Sequence, residues 1–197
     1  MNTTKSAPVN RELQGPFDHD EVQENPNQAD FGAIRFVPIP DVEVRLEIDE
    51  QSQRVLALQF EVANSNIQVQ AYAAPKSEGL WHSVRAQIEQ SVQAQGGQTE
   101  ERLGSFGPEL LAKLPLLDDK GSQVGHRFAR FIGVDGPRWF LRGMIGGAAI
   151  NDPAAASQVD QVFRNLVVYR GNEPVPPREL LTLQLPAGVI APPRKVD

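Results

Sequence analysis

Three stretches of this chain alternate apolar and polar residues with a period of two, and they join through short polar turns. Val44, Leu46 and Ile48 alternate with Arg45, Glu47 and Asp49; then come Leu56, Leu58, Phe60 and Val62; then Ile67, Val69, Ala71 and Ala73. Successive side chains on a strand point to opposite faces, so this pattern predicts strands buried on one side and wet on the other. Glu50 to Gln53 and Asn64-Ser65-Asn66 are too short for crossover helices, which makes the run an antiparallel meander. An earlier strand is expected over Asp30 to Val37, closed by Pro38 and Pro40.

The period then changes. Trp81, Val84, Ile88 and Val92 recur at steps of three, four and four, one stripe of a helix, with Ser77 as its expected N-cap and Gly96-Gly97 as its stop. Thr99 to Leu103, Glu109 to Leu114, Val124 to Ile132 and Arg138 to Ile145 follow, separated by Gly107-Pro108, Asp118-Asp119-Lys120-Gly121 and Asp135-Gly136-Pro137. These are turn sequences, so a second meander is predicted. Asp152-Pro153 opens a second helix with Ala155, Val159, Val162, Phe163 and Leu166 on one face, and Leu166 to Tyr169 read as a last short strand. The fold class is α+β: two meanders forming an antiparallel sheet, with two main helices packed on it.

The ends read differently. Residues 1–29 are polar, carry a net charge of −4 over the first thirty positions, and are expected to be a disordered acidic tail. Residues 30–172 form the single α+β domain. Residues 173–197 are rich in proline, and Leu180, Leu181, Leu183 and Leu185 within them predict an extended strap on the domain surface.

Composition excludes several chemistries. The chain has no cysteine, which removes disulfides, thiolate zinc sites and thiol catalysis. Nineteen basic against twenty-five acidic residues give −6, a poor balance for displacing counterions from nucleic acid or docking on an anionic membrane. The segment from 31 to 169 carries thirteen basic and sixteen acidic residues, so its sheet is no funnel for single-stranded nucleic acid either. The N-terminus lacks the basic start and apolar stretch of a signal peptide, and no segment reaches the ~18 apolar residues of a membrane span. The expected location is the cytoplasm.

Several segments together resemble an actinobacterial family of cytoplasmic proteins of unknown function. They are Gly15-Pro16-Phe17-Asp18, Ala73 to Trp81, Gly133-Val134-Asp135-Gly136-Pro137-Arg138-Trp139-Phe140-Leu141-Arg142-Gly143, and Val162 to Gly171. The resemblance covers about residues 15 to 186 and implies no catalytic residues. More loosely, the order of elements is similar to the PsbP-like α/β/α sandwich, a fold of binding and accessory proteins.

Candidate site residues cluster between 123 and 142. Alternation places Arg138, Phe140 and Arg142 on one face of their strand, with Arg127 and Arg130 on the strand before and Asp135 as the lone acid. Guanidiniums flanking an aromatic floor would suit an anion or an acidic peptide; paired with carboxylates across the sheet they would be structural. Gly143, Gly146 and Gly147 lack the spacing and the Lys of a phosphate loop and suggest a bulge or close backbone packing. Gly104-Ser105-Phe106-Gly107 is not a nucleophile elbow, and His19, His82 and His126 have no partner at ligand spacing, so no catalytic residue, metal or cofactor is assigned. Trp81 and Trp139 sit on apolar stripes and are expected in the core. The leading expectation is a non-enzymatic binding or accessory protein whose partner is another protein. The rival is an enzyme, or a small anionic-ligand binder, with a site assembled from Arg138, Arg142, Asp135 and His126. A pocket enclosing those groups would favour the rival; a flat surface there would favour the binding module.

Overall fold

The computed structural model describes residues 3–186. In chain order the strands are β1 (Phe17–Asp18), β2 (Ala29–Asp30), β3 (Ile34–Phe36), β4 (Glu43–Ile48), β5 (Val55–Val62), β6 (Ser65–Ala73), β7 (Gln98–Gly104), β8 (Gly107–Leu117), β9 (Gln123–Asp135), β10 (Trp139–Gly147) and β11 (Val167–Val168). The α-helices are α1 (Arg11–Gln14), α2 (Trp81–Ala94) and α3 (Pro153–Arg164). The two predicted meanders, β4-β5-β6 and β7-β8-β9-β10, fuse through an antiparallel β6–β10 pair into one seven-stranded sheet ordered β4-β5-β6-β10-β9-β8-β7. A small second sheet, β1-β11-β3-β2, has one parallel pair, β1 with β11. The fold is α+β with antiparallel pairing throughout the main sheet.

The pleat explains where the helices go. On β10, Phe140, Arg142 and Met144 point one way, opposite Asp135, Gly133 and Phe131 of β9. Helix α2 lies on that face over β7, β8 and β9, packing Leu80, Trp81 and Val92 on Leu110, Phe131 and Phe140. Trp139, Leu141 and Ile145 point the other way and join Leu58, Phe60 and Ile67 beneath Val159, Val162 and Phe163 of α3, which lies over β5 and β6. The two main helices therefore cover opposite faces of opposite halves of the sheet. Trp81 and Trp139 are both fully buried, each with its indole N–H satisfied, by Pro108 O at 2.6 Å and by Asp18 Oδ2 at 2.7 Å. Gly133 is required beneath α2, because a Cβ there would overlap the Trp81 indole. Gly143 packs similarly close, its position for a Cβ lying 2.8 Å from Ile132 and 3.0 Å from Ile67, which answers to the close packing expected of that glycine.

The N-terminal segment departs from the disordered tail that its composition suggests. Residues 3–21 lie along the domain. Ser6 O accepts from Asp135 N and Ser6 N donates to the Asp135 carboxylate, Arg11 is buried in an ion pair with Glu21, and Phe17–Asp18 add a strand beside β11. Low average hydrophobicity argues against a self-standing core, but a handful of directed polar contacts suffice when the domain supplies the template. Ser77 does not cap α2 either. The helix begins at Trp81, and the Asp135 carboxylate, far away in sequence, accepts from Leu80 N at 2.7 Å and Trp81 N at 3.4 Å. Asp152 caps α3 as expected, its carboxylate accepting from Ala154 N, with Pro153 in the first turn.

The C-terminal strap is extended and adds to the sheet. Leu181 N bonds Ala71 O at 2.9 Å, Tyr72 bridges Leu180, and Leu183 bridges Gly32 and Val55; Leu181 and Leu183 are buried in the core. Residues 187–197 of the expected strap lie outside the described residues.

Candidate functional site

The structure disperses the arginine-rich segment. Arg130 is buried on the α3 side, donating to Glu109 Oε2 at 2.9 Å and to Asp160 Oδ1 at 2.9 Å, while Arg102 reaches the other Glu109 oxygen at 2.6 Å. Burial pulls the Arg130 pKa down, but its bonds to the two carboxylates outweigh that and hold it above the ordinary guanidinium value. Asp135 is the buried cap of α2. Burial raises its pKa against the pull of the Ser6, Leu80 and Trp81 N–H groups and the Lys5 charge. Phe140 is no exposed floor: it is buried and stacked on Trp81 at 5.9 Å between ring centroids. Arg142 bonds the Gln70 side-chain oxygen and lies 5.7 Å over the Tyr72 ring. Burial pushes the Tyr72 hydroxyl up, and the Arg142 charge opposes it.

Only Arg127, Arg138 and His126 remain exposed, and they are not together. His126 and Arg127 lie on β9, whereas Arg138 precedes β10 and donates to Gly171 O at 2.9 Å. Among the described residues, the cleft that Arg138 lines does not include Arg142, Asp135 or His126. The apolar and aromatic neighbours of the strand, with α2 above, account for this: a strand that is buried on both faces leaves no continuous polar surface.

Two clefts and one projection stand out instead. The larger cleft, about 530 Å³, runs between β7 and the start of α3, and its floor is the Arg102–Glu109–Arg130–Asp160 network. A second cleft of about 400 Å³ is formed where Asp18–Asp20, Arg138 and Tyr169–Asn172 meet. The projection is the end of the β8–β9 hairpin. β8 pairs with β7 only as far as Lys113, and β9 pairs with β10 only from Arg130 onward. Leu114–Leu117 and Gln123–Arg127 therefore pair with nothing but each other, a two-stranded arm closed by a well-bonded turn in which Asp118 accepts from Lys120 N and Ser122 N. Leu116, Leu117 and Val124 on this arm, and Phe128 at its base, are exposed at 47%, 56%, 61% and 43%.

Sequence reasoning missed Glu109, Asp160, Arg170 and the arm. The arm follows from strand length: β8 and β9 run over 11 and 13 residues against 7 in β7 and 9 in β10, so the far end of their hairpin overhangs. Glu109 and Asp160 carry no local signal, because only the fold brings them to Arg130. Among the described residues no group of three or more His, Asp or Glu could hold a metal ion, and no helix is long and apolar enough to cross a membrane.

Comparison with known proteins adds a family and a distant structural likeness. A family model described as a protein of unknown function, DUF3710, matches residues 15–191. No curated protein matches the chain in sequence. Among solved structures, the solution structure of cyanobacterial PsbP (CyanoP) from Synechocystis sp. PCC 6803 is similar at a TM-score of 0.41 and 14% identity, covering 70% of this chain and 87% of that one.

Proposed function

The chain belongs to the DUF3710 family of proteins of unknown function, and from that premise we propose that it is a non-enzymatic binding or accessory protein that holds another protein through the β8–β9 arm. The observation that carries this reading is an ordered two-stranded ribbon that leaves the sheet and exposes Leu116, Leu117, Val124 and Phe128. A ribbon with free edges and apolar side chains is marginal in water on its own and suits addition of a further strand. Charge narrows the partner. From Gln123 to Ala129, β9 carries Arg127 and His126 and no acid, so the edge fits an extended segment that mixes apolar with acidic residues.

The test combines capture with hydrogen exchange on the native protein. Val124→Asp/Phe128→Asp and, separately, Arg127→Glu are expected to abolish retention of the partner while leaving the melting temperature nearly unchanged, since all three side chains are exposed. In the purified complex, amides of Gln123–Ala129 are expected to gain protection. Retention by both variants, or protection confined elsewhere, would overturn the reading. So would a concentration-dependent homodimer that the same substitutions abolish, since the arm would then serve self-association.

A further inference from the structure

We propose that the second cleft, between Arg138 and Arg170, is a binding site for a small oxyanion, a carboxylate or a phosphate group. Two guanidiniums line it, and neither is ion-paired. Arg138 donates to Gly171 O at 2.9 Å, and Arg170 donates to Glu173 O at 3.0 Å and Val175 O at 3.2 Å; neither has a carboxylate within ion-pairing distance among the described residues. The Nε of Arg170 is buried with no hydrogen-bond partner. An orphaned guanidinium N–H is costly, and a second positive charge beside it adds to that cost. Burial and the neighbouring Arg138 charge both hold the Arg170 pKa below its ordinary value.

The walls favour a compact ligand. Tyr169 is fixed from two sides, by the Arg35 guanidinium 4.6 Å over its ring and by the edge of His19 at 5.0 Å between centroids, and Asn172 adds an amide. Asp18 and Asp20 also line the cleft. The Asp18 carboxylate is engaged, Oδ2 by the Trp139 indole at 2.7 Å and Oδ1 by Asp20 N at 3.0 Å, whereas Asp20 is exposed. These two acids repel an extended polyanion, so the ligand suited to the two guanidiniums is a single compact anionic group, which binds guanidinium through charge-assisted hydrogen bonds. The larger cleft is different, since Arg102 and Arg130 are already matched there by Glu109 and Asp160.

Titration calorimetry with inorganic phosphate and with acetate, at fixed ionic strength set by chloride, tests this on the full chain. Saturable binding of at least one probe is expected, weakened about tenfold or more by Arg138→Gln, since a charge-assisted contact is lost. Arg142→Gln, which removes a cation elsewhere, should leave affinity unchanged. Preference for phosphate or for acetate distinguishes the two sources of the anion. Arg138 is exposed, so its variant is expected to melt with the wild type; circular dichroism checks this. Absence of saturable binding of either probe, equal affinity in Arg138→Gln and wild type, or equal weakening by Arg142→Gln would overturn the proposal.

Discussion

Arg130→Met is expected to destabilise the fold by ~3–5 kcal/mol, near the lower end. The reasoning starts from accessibility: the side chains of Arg130 and Glu109 are each 4% exposed and that of Asp160 is 12% exposed. Methionine replaces much of the aliphatic stem, so the loss is chiefly electrostatic. Asp160 loses its Nη1 bond at 2.9 Å and the longer Nη2 bond at 3.5 Å, and so is stranded as a buried carboxylate. Glu109 keeps the Arg102 bond at 2.6 Å, and Arg102 is partly in solvent, which is why the lower end applies. A chain of this size loses about 2–4 °C per kcal/mol, so a fall of roughly 6–12 °C accompanies a ~3 kcal/mol loss. Urea unfolding monitored by tryptophan fluorescence reads the free energy, and calorimetry reads the midpoint. Arg130→Met/Asp160→Leu removes the stranded acid and should recover most of the loss, because a buried ion pair is often worth little against an apolar replacement. Arg127→Met, three residues away on the same strand but exposed, should change stability by no more than ~0.5 kcal/mol. If Arg130→Met falls within ~1 kcal/mol of wild type, or the double variant is no better than the single one, the network does not hold β7, β8 and α3 together as described.

Two carboxylates should respond to pH in opposite senses. Asp135 has a raised pKa in the fold, so its contribution is fully present below its unfolded value of about 4 and is lost as pH rises through the raised one; the advantage of wild type over Asp135→Asn should therefore shrink from acid toward neutral pH in urea titrations. For Glu21, burial works upward, but bonds from Arg11 and Asp18 N hold the pKa below its ordinary value; its advantage over Glu21→Gln should be full above about pH 4.3 and vanish as pH falls through the lowered value, and the same slope for both pairs would refute the assignment. Gly133→Ala should cost ~1–3 kcal/mol by forcing the Trp81 indole off the sheet, read as a lowered urea midpoint with altered tryptophan emission, and an unchanged midpoint would contradict the contact.

The regular parts of the fold were legible because each has a local cause. Alternation at Val44–Ile48, Leu56–Val62 and Ile67–Ala73 sets which face is wet, and Asp152-Pro153 starts α3 without help from elsewhere. What escaped depends on residues remote in sequence. Asp135 looked like a polar member of a surface site, yet it stands where α2 begins and satisfies N–H groups that the helix itself cannot. Phe140 alternates with buried neighbours, as a one-sided strand would, but α2 covers the second face too. The tail was judged on average composition, whereas its anchoring rests on a few pairs: Arg11 with Glu21, Asp18 with Trp139, Ser6 with Asp135. Alternation predicts which way a side chain points. It does not predict what lies there.

The diagonal placement of α2 and α3 is also the reason the arm is expected to tolerate substitution without unfolding of the protein. At the stem of the hairpin, Leu110, Ala112, Ile132 and Val134 are buried between the sheet and its helices, so that end is fixed by core packing. Beyond Lys113 on β8 and before Arg130 on β9 the ribbon pairs with no neighbouring strand; Leu114 and Ala129 still pack on the α2 cluster, and past them Leu116, Leu117, Val124, His126, Arg127 and Phe128 are exposed. Such a ribbon is a hazard for uncontrolled pairing, and lysine, charge and twist are the usual defences of an exposed edge. Here Lys113, Arg127 and the Asp118-Asp119-Lys120 turn supply charge along both strands and the tip. On the proposed reading, those charges deter pairing with a like-charged edge and favour an acidic one. Substitution at Val124, Arg127 or Phe128 is then expected to separate the proposed recognition from stability, whereas substitution at Arg130, further into the core on the same strand, is not.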